Sequence, residues 1–237
     1  MKAVLFDLYD TVLNDDFFDY NQGIEYLHDR YFSEECTLDD FVTFSMSFIP
    51  LYQDRAVSNK EISFLRDQYR VYCQQLEYTP SIKEDDLDYE IMTQMQKEVL
   101  LPEVKDTLMY LNDKGIKLYL ITNSIFKASS HKKLLKEFNL DTIFQDLYSS
   151  ADFGMRKPDK SFFDYATRNI LLDNPGMIKD DIITVGNDYY SDVQGGLNAG
   201  LKAVWYNPDN LKSEDNSGIT SINNFTLIKD LASNDKY

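Results

Sequence analysis

The chain is poor in cysteine, in basic charge and in long apolar runs. Of its 237 residues only Cys36 and Cys73 are cysteines, and they form no CxxC pair. That excludes a disulfide framework; reduced thiols in a cytoplasmic protein are the simplest reading. No window approaches the roughly 20 apolar residues of a membrane span. The N-terminus has no basic stretch followed by an apolar run, so no signal peptide is expected. Lys and Arg number 24 against 40 Asp and Glu, a net charge of -16. Phosphate backbones need a basic face, so nucleic acid is not an expected partner. The chain shows no internal repeat and no low-complexity segment.

What is present describes a folded protein. Hydrophobic residues make up 43%, which argues against general disorder. The length suffices for one domain, or for a domain plus an insert. The acid is unevenly placed: residues 14–100 hold 19 Asp and Glu against 7 Lys and Arg, a balance of -12. A solvated helical surface explains that balance, and it argues against this segment gripping a highly anionic ligand.

Three pieces emerge along the chain. Ala3 to Phe6 reads as a buried strand. From Asp15 to Val99 the pattern reads as helical throughout. Thr37-Leu-Asp-Asp40 and Ser58-Asn-Lys-Glu61 both carry a capping oxygen followed by an acid, the signature of a helix start. Ile62, Leu65, Tyr69, Tyr72 and Leu76 recur at helical spacing, and such an aromatic stripe is more often core than ligand cage. The third piece alternates. Helices are expected over Pro102–Lys114, Ser130–Phe138, Lys160–Leu172 and Ser191–Ala199. Strands are expected over Lys117–Ile121, Leu147–Ser149, Ile182–Val185 and Leu201–Tyr206. Alternating strands and helices predict a parallel sheet covered on both faces. Active sites of such sheets lie at the carboxyl ends of the strands.

Chemistry-bearing residues fall at those ends. Asp7 follows "VLF", Thr122-Asn123 follows "LYLI", Lys157-Pro158 sits in "GMRKPDKSFF", and "TVGNDYYSD" supplies Asn187, Asp188 and Asp192. A strand-end Asp is often only a turn former, and a Lys-Pro pair often only a helix start. All four in this order form a much stronger pattern. It resembles the haloacid dehalogenase (HAD) superfamily of hydrolases, with a helical cap inserted after the first strand. "PEVKDTLMYLNDKGIKLYLITNS" and "VGNDYYSDVQGGLNAGLKAVW" extend the likeness beyond the catalytic letters. The resemblance implies a Rossmann-like α/β core from residues 1–13 and 101–237 and a helical cap from residues 14–100. It also implies that Asp7 is the nucleophile and that Thr122 and Asn123 hold the transferring group, with Lys157 balancing charge and Thr11 completing the substrate-binding set. Mg²⁺ would be held by Asp7, the Tyr9 carbonyl, Asn187, Asp188 and Asp192. A small phosphate ester is the implied substrate, and a monomer or homodimer the implied assembly.

The chemistry is consistent with those roles. A carboxylate that attacks phosphorus splits one hard step into two. The anionic group it transfers needs cations and hydrogen-bond donors around it. Carboxylate oxygens suit a hard cation such as Mg²⁺.

Two departures stand out. Family phosphatases usually place an Asp two residues after the nucleophile to protonate the leaving alkoxide; here Tyr9 stands there. Strand geometry points residues 7 and 9 to one side and Asp10 to the other, so Asp10 reads as a turn residue, not a substitute. A phenol with a pKa of about 10 is a weak acid for that step and no base at neutral pH. Leaving groups that need no proton, such as acyl or aryl phosphates, are then favoured; alternatively, water or a cap residue supplies the proton. The second departure is Asn187, where family phosphatases more often carry Asp. Tyr9 also matches the metal-independent 2-haloacid dehalogenases of the superfamily, and "QQLEY" (Gln74–Tyr78) echoes their cap. Those enzymes need a cap arginine for the substrate carboxylate. The available ones, Arg30, Arg55, Arg66 and Arg70, each read as surface charge. A phosphatase therefore ranks first, a dehalogenase second, and a non-catalytic binding member third.

Overall fold

The structure, a computed structural model, describes residues 1–212 and 219–233. Six parallel strands form the main sheet in the order β5-β4-β1-β6-β7-β8. They are β1 (Ala3–Phe6), β4 (Lys117–Thr122), β5 (Phe144–Ser149), β6 (Ile182–Gly186), β7 (Lys202–Tyr206) and β8 (Thr220–Ile222). Every residue of β1 and β6 is buried, as in a sheet covered on both faces. The alternation of side chains along β1 sorts the core. Val4 and Phe6 face the cluster of Leu108, Leu111 and Ile228, while Ala3 and Leu5 face Phe162, Phe163 and Ala166.

The expected fold class is what the structure has, with four differences of detail. The segment after β1 is not helical throughout. Its two ends pair as an antiparallel ribbon of β2 (Leu13–Phe18) and β3 (Gln96–Leu100), with Leu13 opposite Leu100 and Phe18 opposite Gln96. The reason is visible in β3. Gln96 and Glu98 are buried while Lys97 and Val99 are exposed. A strand that turns polar residues inward carries no amphipathic signal. Between the ribbon strands lie helices at Tyr20–Leu27, Leu38–Met46, Ile49–Ser58, Arg70–Gln75 and Glu84–Met95. They bury an aromatic core in which Phe41 and Tyr72 lie 4.7 Å apart, and Leu65, Tyr69 and Tyr72 belong to it as their spacing predicts.

Thr37 caps its helix, accepting from the Asp40 N–H at 3.3 Å. Ser58–Glu61, by contrast, starts no helix. Ser58 ends one, and Asn59 turns left-handed at φ +56°. The chain then runs extended onto the α/β core. Glu61 N donates to Gly154 O, Arg156 N to Asn59 O and Phe64 N to Ile125 O, each at 2.9 Å. The next helical stretch is capped by Ser63. Pro102 likewise stands outside its helix, which begins at Val104 behind a left-handed Glu103. β8 and the helix Ile228–Ser233 extend the core beyond the elements read from sequence.

A second bond between cap and core runs through Asp88. Its Oδ2 accepts from Lys127 N at 2.8 Å and from Ser130 Oγ at 2.6 Å, at the start of the helix Ala128–Glu137. Its Oδ1 is buried without a partner among the described residues. Burial, outweighing those two donors, pushes the Asp88 carboxyl up to about 6. The folded protein thus favours the protonated form more than the unfolded chain does. Stability is fully present near pH 4 and falls as pH rises through about 6, by at most about 3 kcal/mol. Asp88→Asn keeps the acceptor and removes the charge, so its urea midpoint should show a flatter dependence between pH 4 and 7 than wild type. An unchanged pH profile would count against this account.

Candidate active site

Asp7 stands one residue past β1, its N–H held by Val185 O at 2.8 Å. Only 6% exposed, its Oδ1 meets Lys157 Nζ at 2.5 Å. Lys157 Nζ donates also to Asp192 Oδ1 at 2.7 Å and to Ile121 O at 3.2 Å. Groups from β4 and from the segments that follow β1 and β6 thus converge on one buried ammonium. Asn123 explains why the lysine reaches it: its side-chain amide accepts from Lys157 N at 2.8 Å and donates to Lys157 O at 3.0 Å. That amide is committed to placing Lys157, a role not read from sequence. Thr122, at the end of β4, buries a hydroxyl with no partner among the described residues. Gly186 lets Asp192 in, since a Cβ there would lie 2.3 Å from its carboxylate.

Two buried carboxylates share one cation, and the electrostatics reflect it. Burial raises the Asp7 carboxyl, against the pull of Lys157. Burial and the charge of Asp7 push Asp192 up to about 7, again against Lys157. Burial alone would lower the Lys157 ammonium, but Asp192 and Asp7 outweigh it and raise it. With both acids ionised the cluster carries one surplus negative charge. Nearby, Thr11 Oγ1 lies 3.3 Å from Asp7 Oδ2 and 3.3 Å from Asn187 Oδ1, two oxygens that converge on a single hydroxyl. Surplus buried negative charge beside hard oxygen donors fits a divalent cation. Asp188 is differently placed. Its exposed carboxylate caps the next turn, accepting from Ser191 N at 2.5 Å, and its N–H donates to Asp192 Oδ2 at 3.0 Å. No group of three His, Cys, Asp or Glu side chains suited to a metal occurs among the described residues.

Asp10 is exposed and left-handed at φ +58°, the turn residue expected of it. Tyr9 is half-buried, and its phenolic oxygen accepts from Gln96 Nε2 at 2.6 Å. The same Nε2 donates to Glu98 Oε1 at 2.5 Å. Gln96 was invisible to sequence reasoning because it lies on the inverted strand β3. Tyr9 also meets the edge of His131 at 5.9 Å. Burial drives that histidine down to about 4, so it is neutral at physiological pH.

A cavity of about 300 Å³ opens beside Tyr9 and Asn123, walled chiefly by cap residues and with Arg55 at its edge. Arg55 is therefore not simple surface charge. Its Nη1 donates at 3.1 Å to Glu61, whose side chain is wholly buried and also accepts from Ser150 Oγ at 2.8 Å. Arg156 approaches the same carboxylate at 3.9 Å. Arg66 reaches Ala151 O at 3.2 Å, and Arg70 pairs with Glu84 on the surface.

Residues 1–200 match the family model of haloacid dehalogenase-like hydrolases. The chain belongs to that family. It is 29% identical over 118 residues to the pyrimidine 5'-nucleotidase PynA of Streptococcus pneumoniae, 50% of this chain and 47% of that one. The chain spans less than half the length of the curated relatives it matches first. Among solved structures, a 2-haloacid dehalogenase from Pseudomonas syringae superposes with a TM-score of 0.66 at 23% identity, covering 98% of each chain. The HAD-hydrolase YfnB of Bacillus subtilis, solved bound to magnesium, gives 0.57 at 20% identity over 97% of each chain. These last two likenesses speak for the fold alone.

Proposed function

We propose that the chain is a Mg²⁺-dependent phosphatase of small phosphorylated metabolites, working through an aspartyl-phosphate on Asp7. The observation that carries this reading is the buried triad of Asp7, Lys157 and Asp192, two carboxylates on one ammonium, with the Thr122 hydroxyl at the end of β4 buried without a partner among the described residues. The phosphatase relative matched in sequence supports the same choice.

In this mechanism a carboxylate oxygen of Asp7 attacks phosphorus, and the ester P–O bond breaks toward the leaving group. Lys157 offsets the negative charge shared by nucleophile and phosphoryl group, and the Thr122 hydroxyl donates to a phosphoryl oxygen. Thr11 orients Asp7. Water then attacks the aspartyl-phosphate, breaks the P–O bond to Asp7 and restores the carboxylate. Asp7, Asn187, Asp192 and the Tyr9 carbonyl would hold Mg²⁺, which when bound would supply charge stabilisation to the phosphoryl oxygens. Asp188, capping its own turn, supports the placement of Asp192.

The test is a panel of phosphate esters and haloacids, each with Mg²⁺ and with chelator. Phosphate release that needs Mg²⁺ is expected; chloride release in chelator, with no phosphatase activity in Mg²⁺, would promote the dehalogenase reading. Release of neither would favour a binding protein. Tyr9→Asp adds a leaving-group acid and should raise turnover of alkyl phosphates by about 10-fold or more, a fraction of the roughly 10²–10⁴-fold that general acid-base help supplies. Activated esters should gain far less. Equal gains for both classes would show that Tyr9 does not stand where that acid belongs.

A further inference from the structure

We infer that the preferred substrate is a monocyclic aryl phosphate, its phosphoryl group bound at Asp7 and its aromatic ring in the cap cavity. This rests on the phosphatase reading and goes beyond it by naming the leaving group. Two independent observations lead there, one about the cavity and one about the acid that is missing.

The cavity is walled by Tyr9, Phe18, Tyr20, Ile49, Tyr52 and Phe126, and its polar lining, Gln96, Asn123 and Ser124, is already bonded to Tyr9, Lys157 and Phe126 respectively. At about 300 Å³ it exceeds the ~150 Å³ that a benzene ring can occupy. Its tyrosines offer rings more than hydroxyls. The phenols of Tyr20, Tyr52 and Tyr72 are all gathered on the buried amide of Gln68, and Tyr72 donates onward to Ser45 Oγ at 2.7 Å. Burial raises all three phenols, so they stay neutral. The charge at the rim is engaged as well. Arg55 is paired with Glu61, and its guanidinium lies 5.4 Å over the Tyr52 ring. The space therefore favours a flat apolar group over a sugar or a carboxylate, whose polar atoms would lose water without gaining partners.

The second observation is chemical. With Tyr9 in place of a carboxylic acid, a leaving group must depart as an anion. A phenolate, whose conjugate acid has a pKa of about 10, does so far more readily than an alkoxide. The step balances without an acid. The Asp7 oxygen bonds to phosphorus, the P–O(aryl) bond breaks, and the phenolate keeps the electron pair. Water then cleaves the aspartyl-phosphate, and its protons end on the phosphate and, through solvent, on the phenolate. Small acyl phosphates also leave without a proton, but they leave the ring-lined space unfilled.

The experiment compares kcat/KM for phenyl, acetyl and ethyl phosphate in Mg²⁺, with calorimetric binding of the non-hydrolysable phenylphosphonate and methylphosphonate. Acetyl phosphate has the better leaving group, so activation alone would put it first. The inference predicts phenyl over acetyl phosphate by about 10-fold or more, the scale of burying one ring, and phenyl over ethyl by at least about 10²-fold. Phenylphosphonate should bind about 10-fold tighter than methylphosphonate. Phe18→Ala, at an exposed position, and Ile49→Ala, at a half-buried one, should each cut phenyl phosphate at least about 5-fold more than acetyl phosphate. Phosphate release with acetyl or ethyl phosphate at or above phenyl would overturn the inference while leaving the phosphatase reading intact. Release from none of the three would overturn both.

Discussion

Asp7→Asn is expected to lower phosphate release by about 10⁴-fold or more while the protein stays as stable as wild type. An amide cannot form the covalent intermediate, and removing a nucleophile leaves only the binding and charge terms of the site. Stability should hold because Asp7 is one of two carboxylates sharing a single ammonium. Its own carboxyl is already raised by burial, and neutralising it leaves Lys157 paired with Asp192. Steady-state rates on the best ester, with a urea midpoint measured beside them in chelator, check both halves. Activity within a few-fold of wild type would rule out Asp7 as nucleophile.

The converse substitution has the largest expected effect on stability. Lys157→Met removes the one cation between Asp7 and Asp192, both nearly inaccessible to solvent. Breaking a buried pair from one side costs on the order of 3–5 kcal/mol, because the remaining charge has no partner; here two charges remain. Both carboxyls would be pushed higher still. A raised carboxylate contributes stability when protonated and loses it as pH climbs through its folded value. For Asp192 that value is already about 7. The deficit of Lys157→Met, measured in chelator, should therefore be large at pH 8 and much smaller at pH 5. A deficit equal at both would mean that lost packing, not uncompensated charge, governs the site.

The parts legible in sequence are those where burial and function coincide. "AVLF", "LYLI" and "IITV" are apolar because both faces of the sheet are covered, so the polar residue ending each run stands out. Asp7 and Thr122 stand out that way, Asn187 and Asp188 follow Gly186 after the third run, and Lys157 stands out by its place before a helix. The cap was legible in composition but not in contact. Glu61 reads as a capping acid, yet its role depends on Arg55, Arg156 and Ser150, of which Ser150 is 89 positions away. Gln96 holds Tyr9 across 87 positions from a strand whose inward face is polar. No periodicity marks such a pair. Asn123 was expected at the transferring group, whereas its amide is engaged by the Lys157 backbone. The residue type was readable; the direction of its side chain depended on a loop folded against it.

The central claim is that phosphoryl transfer passes through Asp7. It is tested most directly by acid-quenching the protein during turnover of its best phosphate ester in Mg²⁺ and mapping covalent phosphate by mass spectrometry. The account predicts one phosphoryl group on the peptide that contains Asp7, absent from Asp7→Asn and from samples quenched in chelator. Phosphate released at full rate with no label at Asp7, or label carried by another residue, would contradict it.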